Sequence, residues 1–253
     1  MIPIASAHEA VNDRAGVAAA GHAIEVERLS VRFGDAVVLD RISFVVPRNT
    51  SLAVIGPNGA GKTVLFKALI GALPHEGTIR WARGTRVGYV PQKLDLERDL
   101  PVTGRDFLHA KAVVTGSPPA DVVRATKDVG FSGALLRKPI GALSGGQFQR
   151  LMVAVALVGK PSILLLDEPT AGVDLPGQET MNETLERLRG EQGLTVLVIS
   201  HDLSVVYRHA SNVLCLGRGQ ACFGPPKTIL TPAMLEALYG VPVSYHIHDG
   251  PRS

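Results

Sequence analysis

Ser51-Leu52-Ala53-Val54-Ile55-Gly56-Pro57-Asn58-Gly59-Ala60-Gly61-Lys62-Thr63 decides the fold. Its first five residues are a short continuous apolar run, the pattern of a strand covered on both faces. The glycines that follow let consecutive backbone N–H groups turn inward around a phosphate. Lys62 to Leu73 then has helical spacing at Leu65, Leu69 and Ala72 and stops before Pro74. The loop therefore opens onto a helix start, whose positive end adds to anion binding. In that setting the Lys62 ammonium can reach β- and γ-phosphates, and the Thr63 hydroxyl can ligate Mg²⁺. A glycine-rich turn that only caps a helix is the competing reading, and the strand before it and helix after it weigh against that.

Outward from this stretch the pattern is that of an α/β fold. Upstream, Ile24–Phe33 alternates as a strand, and Val37–Val46, closed by Pro47, reads as a second. No helix separates them, so the chain should begin with an antiparallel sheet. Downstream, Lys93–Ala142 is more polar, broken by prolines, and helical at about Gly104–Val114 and Ala120–Val129. It reads as a helical insertion within one core. Gln147–Val158 is an expected helix, Ile163–Leu166 a strand, Glu179–Arg189 an amphipathic helix and Thr195–Ile199 a strand. That alternation implies a parallel sheet with right-handed crossovers. Asn212–Leu216 and Gln220–Phe223 read as a closing hairpin. Residues 1–23 read as a disordered tail, 24–230 as the folded domain and 231–253 as a C-terminal tail.

Composition sets limits. At 253 residues the chain can bury a full core, with 45% hydrophobic and 19% charged residues. A net charge of +3 is too small to argue for nucleic acid. No apolar run approaches the roughly 18 residues of a membrane span, so the sequence is not expected to cross a membrane by itself. Cys215 and Cys222 fit a reducing compartment, and without CxxC spacing neither a metal nor a redox role is expected of them.

Three further groups of residues carry chemistry. Asp167 and Glu168 end an apolar strand at its carboxyl end, where ligands bind in open α/β sheets. The first carboxylate can hold Mg²⁺ through its water shell. The second, pointing elsewhere, suits a base that polarises an attacking water. Ser144, Gly145, Gly146 and Gln147 open a helix; Ser144 can cap it, and the exposed N–H groups could bind a γ-phosphate. Nothing in a single chain says whose phosphate. His201 follows the strand Thr195–Ile199, and the alternative to a functional role is a histidine at a capped helix start.

Phosphate loop, glycine-rich signature and Asp-Glu strand end, in that order, resemble the ATP-binding cassette (ABC) family from about Ile24 to about Pro226. The resemblance implies a P-loop ATPase core with an antiparallel β subdomain and an inserted helical subdomain, using ATP and Mg²⁺. It makes Asp167 the Walker B aspartate, Glu168 the catalytic glutamate and His201 the switch histidine that contacts the γ-phosphate. It makes Gln92 the glutamine that touches Mg²⁺ or the water, and Phe33 the ring that stacks on adenine. A core phenylalanine is the other reading of Phe33. It implies that Ser144–Gln147 serves the nucleotide of a second copy in an ATP-sandwich dimer, with Asp174 acting across that dimer. One departure is Val64, where the family usually has a hydroxyl residue that contacts the α-phosphate.

The family further implies separate membrane permease subunits, peripheral attachment at the cytoplasmic face of the cell membrane, and an extracellular substrate-binding protein. The end from Tyr239 to Asp249 resembles endings of zinc-importer ATPases, so import of a metal ion or metal complex is expected. His246 and His248 could bind a metal weakly or belong to a disordered polar end. The alternative function is a non-transport ABC ATPase acting on a soluble assembly.

Overall fold

Alternating apolar residues build the first layer. In the computed structural model, which describes residues 16–92, 101–131, 133–217 and 220–240, strands β1 (His22–Phe33) and β2 (Ala36–Pro47) pair antiparallel. Ile24, Val26, Leu29, Val31, Leu39, Phe44 and Val46 are buried along them. The folded chain begins before the expected boundary at residue 24: β1 starts at His22, and the Ala18 N–H donates to the Trp81 carbonyl at 3.1 Å.

β3 (Ser51–Ile55) is buried at every position and runs into α1 (Lys62–Leu69). The helix stops short of the expected Leu73. Gly71 lies at φ 72°, its N–H bonds the Ala68 carbonyl, and the Ala72 N–H bonds the Lys67 carbonyl. Those two bonds close a Schellman cap ahead of the expected end at Leu73. β4 (Glu76–Trp81), which was not anticipated, pairs with the free edge of β1 and completes a three-stranded sheet.

The second sheet has six strands in the order β5-β6-β7-β3-β8-β9: β5 (Val87–Val90), β6 (Ile163–Asp167), β7 (Thr195–Ile199), β8 (Asn212–Gly217) and β9 (Gln220–Gly224). All neighbours are parallel except the β8–β9 hairpin. Alternate residues of these strands serve opposite faces. Leu52, Val54, Leu165, Leu197 and Ile199 face α1 and the antiparallel sheet. Val90, Leu164, Leu166 and Val196 face the helical insertion and α5.

The insertion contains α2 (Gly104–Thr115), α3 (Pro119–Asp128), α4 (Gly133–Leu136) and a 3-10 turn at Ile140–Ala142. Its first expected residues, 93–100, lie outside the described residues. α5 (Gly145–Leu157) returns the chain to the core. α6 (Leu175–Gln192) begins four residues ahead of the expected Glu179, because Asp174 occupies its N-cap position and Pro176 its first turn.

α7 (Leu203–His209), α8 (Pro226–Ile229) and α9 (Pro232–Tyr239) close the fold. The expected tail from 231 thus opens with a packed helix: Leu235 and Leu238 are buried with Ala53, Ile55 and Cys215. Residues 241–253, including His246 and His248, lie outside the described residues. The cysteines differ from expectation. Cys215 and Cys222 are cross-strand partners in the β8–β9 register and are joined by a disulfide. CxxC spacing is no guide to such a pair, because strand register rather than sequence proximity brings it together.

Candidate nucleotide site

The loop between β3 and α1 is shaped by what surrounds it. A Cβ on Gly56 would lie 2.0 Å from the Leu216 carbonyl oxygen, so no side chain fits there. At Gly61, φ is 90° and a Cβ would lie 2.9 Å from Leu39. Lys62 folds over its own loop, its Nζ donating to the carbonyls of Gly56 at 2.8 Å and Pro57 at 3.1 Å. Burial lowers the pKa of this ammonium, and the charges of Glu168 and Asp167 oppose that shift. Val64, half-buried against the first core, offers no donor.

Asp167 ends β6 with 1% of its surface exposed, and neither carboxylate oxygen closes a hydrogen bond of normal geometry. Burial raises its pKa, while the facing Thr63 hydroxyl and the Lys62 charge pull it down. A buried carboxylate held only by such loose contacts is costly unless a cation completes it. The oxygen-rich pair Thr63–Asp167 suits Mg²⁺ in donor type.

Glu168 turns away from Asp167 because its backbone is left-handed, at φ 52°, with its N–H donating to the Ile199 carbonyl. Its Oε2 accepts from Gln92 Nε2 at 2.7 Å, and its Oε1 lies 2.5 Å from His201 Nε2. With a carboxylate as partner, that histidine nitrogen is the donor. Residues 76 and 33 positions apart in sequence thus meet on one carboxylate.

The other expected residues form separate groups. Phe33 is 51% exposed at the β1–β2 turn, which removes the core reading of this ring. Ser144 caps α5: its hydroxyl accepts from the Gln147 N–H at 3.3 Å, and its own N–H donates to Gln147 Oε1 at 3.1 Å. Gly145 and Gly146 close on Gly172 and Val173, just before the exposed Asp174. Among the described residues, no hydrogen bond or ion pair joins Ser144–Gln147 to Gly56–Thr63. Sequence reasoning missed Tyr89, which stands beside Asp167, and Tyr239 of α9, whose hydroxyl meets the Gly56 backbone. Only knowledge of strand pairing and helix docking could have singled them out.

A glycine-lined loop at a helix start, a buried aspartate and a glutamate held by glutamine and histidine fit the class of ATP-hydrolysing proteins. The profile of the ABC transporter family matches residues 39–171. A zinc import ATP-binding protein, ZnuC, of Jannaschia sp. (strain CCS1) is 41% identical over 218 residues, spanning 86% of this chain and 88% of the relative. The ZnuC of Photorhabdus laumondii is 38% identical over 233 residues, spanning 89% of each. A metal-chelate type ABC transporter, solved in an inward-facing conformation, shares 26% identity with a TM-score of 0.79, covering 89% of this chain and 94% of that one. The chain belongs to the ABC transporter family and is its ATP-binding, ATP-hydrolysing subunit. Among the described residues no helix is long and apolar enough to cross a membrane.

Proposed function

We propose that this chain powers a zinc importer, hydrolysing ATP to drive a separate permease that carries the metal. The observation that carries the chemistry is Glu168 held between Gln92 and His201 beside the buried Asp167. The zinc assignment rests on likeness to zinc import ATP-binding proteins along 86% of the chain.

In this reading Phe33 stacks on adenine, and the amides from Gly56 to Thr63, with Pro57, Asn58, Gly59 and Ala60 shaping the loop, cradle the phosphates. Lys62 leaves the Gly56 and Pro57 carbonyls for the β- and γ-phosphate oxygens. Thr63, Gln92 and Asp167 hold Mg²⁺, which neutralises phosphate charge when bound. Glu168 orients a water in line with the γ-phosphorus. The new P–O bond forms as the β–γ bridging oxygen leaves with ADP, and the water's proton passes toward Glu168. His201, Lys62 and Ser144 of a second copy neutralise the developing charge, with Asp174 facing that copy.

In this reading the cassette runs from β1 through the packed helix α9, and α2 to α4 belong to its helical subdomain. On it Val113, Val114 and Val123 stand 67, 54 and 66% exposed, apolar surface suited to cytoplasmic permease helices. In this reading the chain sits peripherally at the cytoplasmic face of the cell membrane. An extracellular binding protein would deliver the metal.

The test is uptake of radioactive zinc in cells lacking high-affinity zinc import. The chain is co-expressed with the multi-span protein of a neighbouring reading frame. Wild type should restore uptake, and Glu168→Gln should not. Restored uptake of manganese or iron instead of zinc overturns the cargo. Failure of the two chains to co-purify overturns the permease partnership.

A further inference from the structure

Tyr89 stands on the strand beside the one that ends in Asp167. β5 and β6 are parallel, with Tyr89 opposite Leu165. Paired residues project to one face, and Asp167, two residues after Leu165, projects to that same face. Tyr89 packs there with the core that contains Leu165 and α1. Its phenol oxygen is buried and closes no hydrogen bond of normal geometry, as is true of both Asp167 oxygens. The phenol and the Thr63 hydroxyl both bear on the Asp167 carboxylate as loose hydrogen-bond partners, and neither contact has closed to normal geometry. A tyrosine hydroxyl is protonated near neutral pH and can donate to a carboxylate. Thr63 faces the same carboxylate.

We propose that Tyr89 is a positioning residue for the cation: as nucleotide and metal load, its hydroxyl donates to one Asp167 oxygen and fixes the carboxylate so that the other oxygen serves the metal beside Thr63. This inference rests on the reading of Asp167 as a cation ligand given above. Groups behind a metal ligand set its orientation, and their loss weakens metal binding without removing the ligand. Tyr89 also lies three residues before Gln92, so β5 and the turn directly after it would carry a metal-side support and the glutamine that holds Glu168.

The experiment measures Mn²⁺ binding to the ATP-loaded full chain by the spin-resonance signal of free Mn²⁺, in a Glu168→Gln background that prevents turnover. Adding Tyr89→Phe should weaken Mn²⁺ binding about tenfold or more, while ATP affinity without metal stays within about twofold. With Glu168 intact, the Mg²⁺ concentration for half-maximal turnover should rise by the same factor, and saturating Mg²⁺ should restore kcat. Mn²⁺ affinity unchanged by Tyr89→Phe overturns the inference. So does a metal-free ATP affinity that falls in step, because that is a packing effect. Asp167→Asn separates the two readings. If it binds Mn²⁺ as tightly as its parent, the cation reading of Asp167 fails. If it loses Mn²⁺ while Tyr89→Phe does not, only the role of Tyr89 fails.

Discussion

Two helix starts in this molecule invite a phosphate, and they keep different company. The loop before α1 lies among groups that can finish a reaction: Lys62 on its own carbonyls, the buried carboxylate of Asp167, and Glu168 fixed by Gln92 and His201. The start of α5 has none of these. Ser144 and Gln147 satisfy each other, and the two glycines between them pack on Gly172 and Val173. One region gathers charged groups around its helix start; the other presents donors without charge. The contrast supports a site divided between two copies, each lending its α5 start to the other's nucleotide.

The comparison breaks most visibly at Glu168. Glu168→Gln should cut kcat by about 10² to 10⁴-fold while ATP affinity is retained, because the water loses its base and the binding groups remain. Phosphate release and equilibrium nucleotide binding together check this. A mutant with near-normal turnover removes Glu168 from the role.

The divided site is sharpened by complementation. Lys62→Ala disables the cradle, and Ser144→Arg disables the α5 start, so each variant alone should be inactive. Mixed in equal amounts, half the dimers carry one intact composite site, restoring roughly a quarter of wild-type activity if the two sites act independently. No recovery on mixing, with both variants folded and binding ATP as expected, argues against the shared site.

The cradle was legible in the sequence because its signals are local. The apolar run of β3, the glycines and the helix that follows occupy adjacent residues. Asp167 and Glu168 were legible as a strand end. Gln92 and His201 were visible only through family resemblance, since a lone glutamine or histidine carries no local mark. What escaped depends on register. β4 was hidden because Glu76-Gly77-Thr78 looks like a turn until β1 offers it an edge. The Cys215–Cys222 pair needed the hairpin register, and Tyr89 needed β5 set beside β6. α9 was read as tail because Leu235 and Leu238 gain meaning only against Ile55 and Cys215.

A smaller effect is expected at Val64, within the cradle. It stands where the family has a hydroxyl donor for the α-phosphate, and its side chain is only half-buried. Val64→Thr adds the donor with little change of shape. One hydrogen bond of about 0.5–1.5 kcal/mol corresponds to ATP binding tighter by roughly 2- to 10-fold. Calorimetric titration of both proteins measures it. Equal affinities would mean that the hydroxyl cannot reach the α-phosphate from this loop.

The least effect, and the one that separates the two regions by stability alone, comes from neutralising Asp167. Burial holds its folded pKa above the unfolded value. For such a carboxyl the stability contribution is complete below the unfolded pKa and is lost as pH rises through the folded one. Near neutral pH the nucleotide-free protein therefore bears the cost of a buried charge, and Asp167→Asn should melt higher by roughly 2 °C. The gain should vanish below about pH 3.9, the ordinary carboxylate range, where the aspartate is neutral in both states. ATP with Mg²⁺ should reverse the order, because only the carboxylate gains a cation. At the α5 start the sign is opposite. Ser144→Ala removes a reciprocal cap and should lower the stability of the nucleotide-free protein by about 1 kcal/mol at every pH. Scanning calorimetry of both variants with and without nucleotide gives the signs directly. A nucleotide-free Asp167→Asn that melts below wild type at neutral pH would show that the carboxylate is satisfied within the chain and is not held open for a cation.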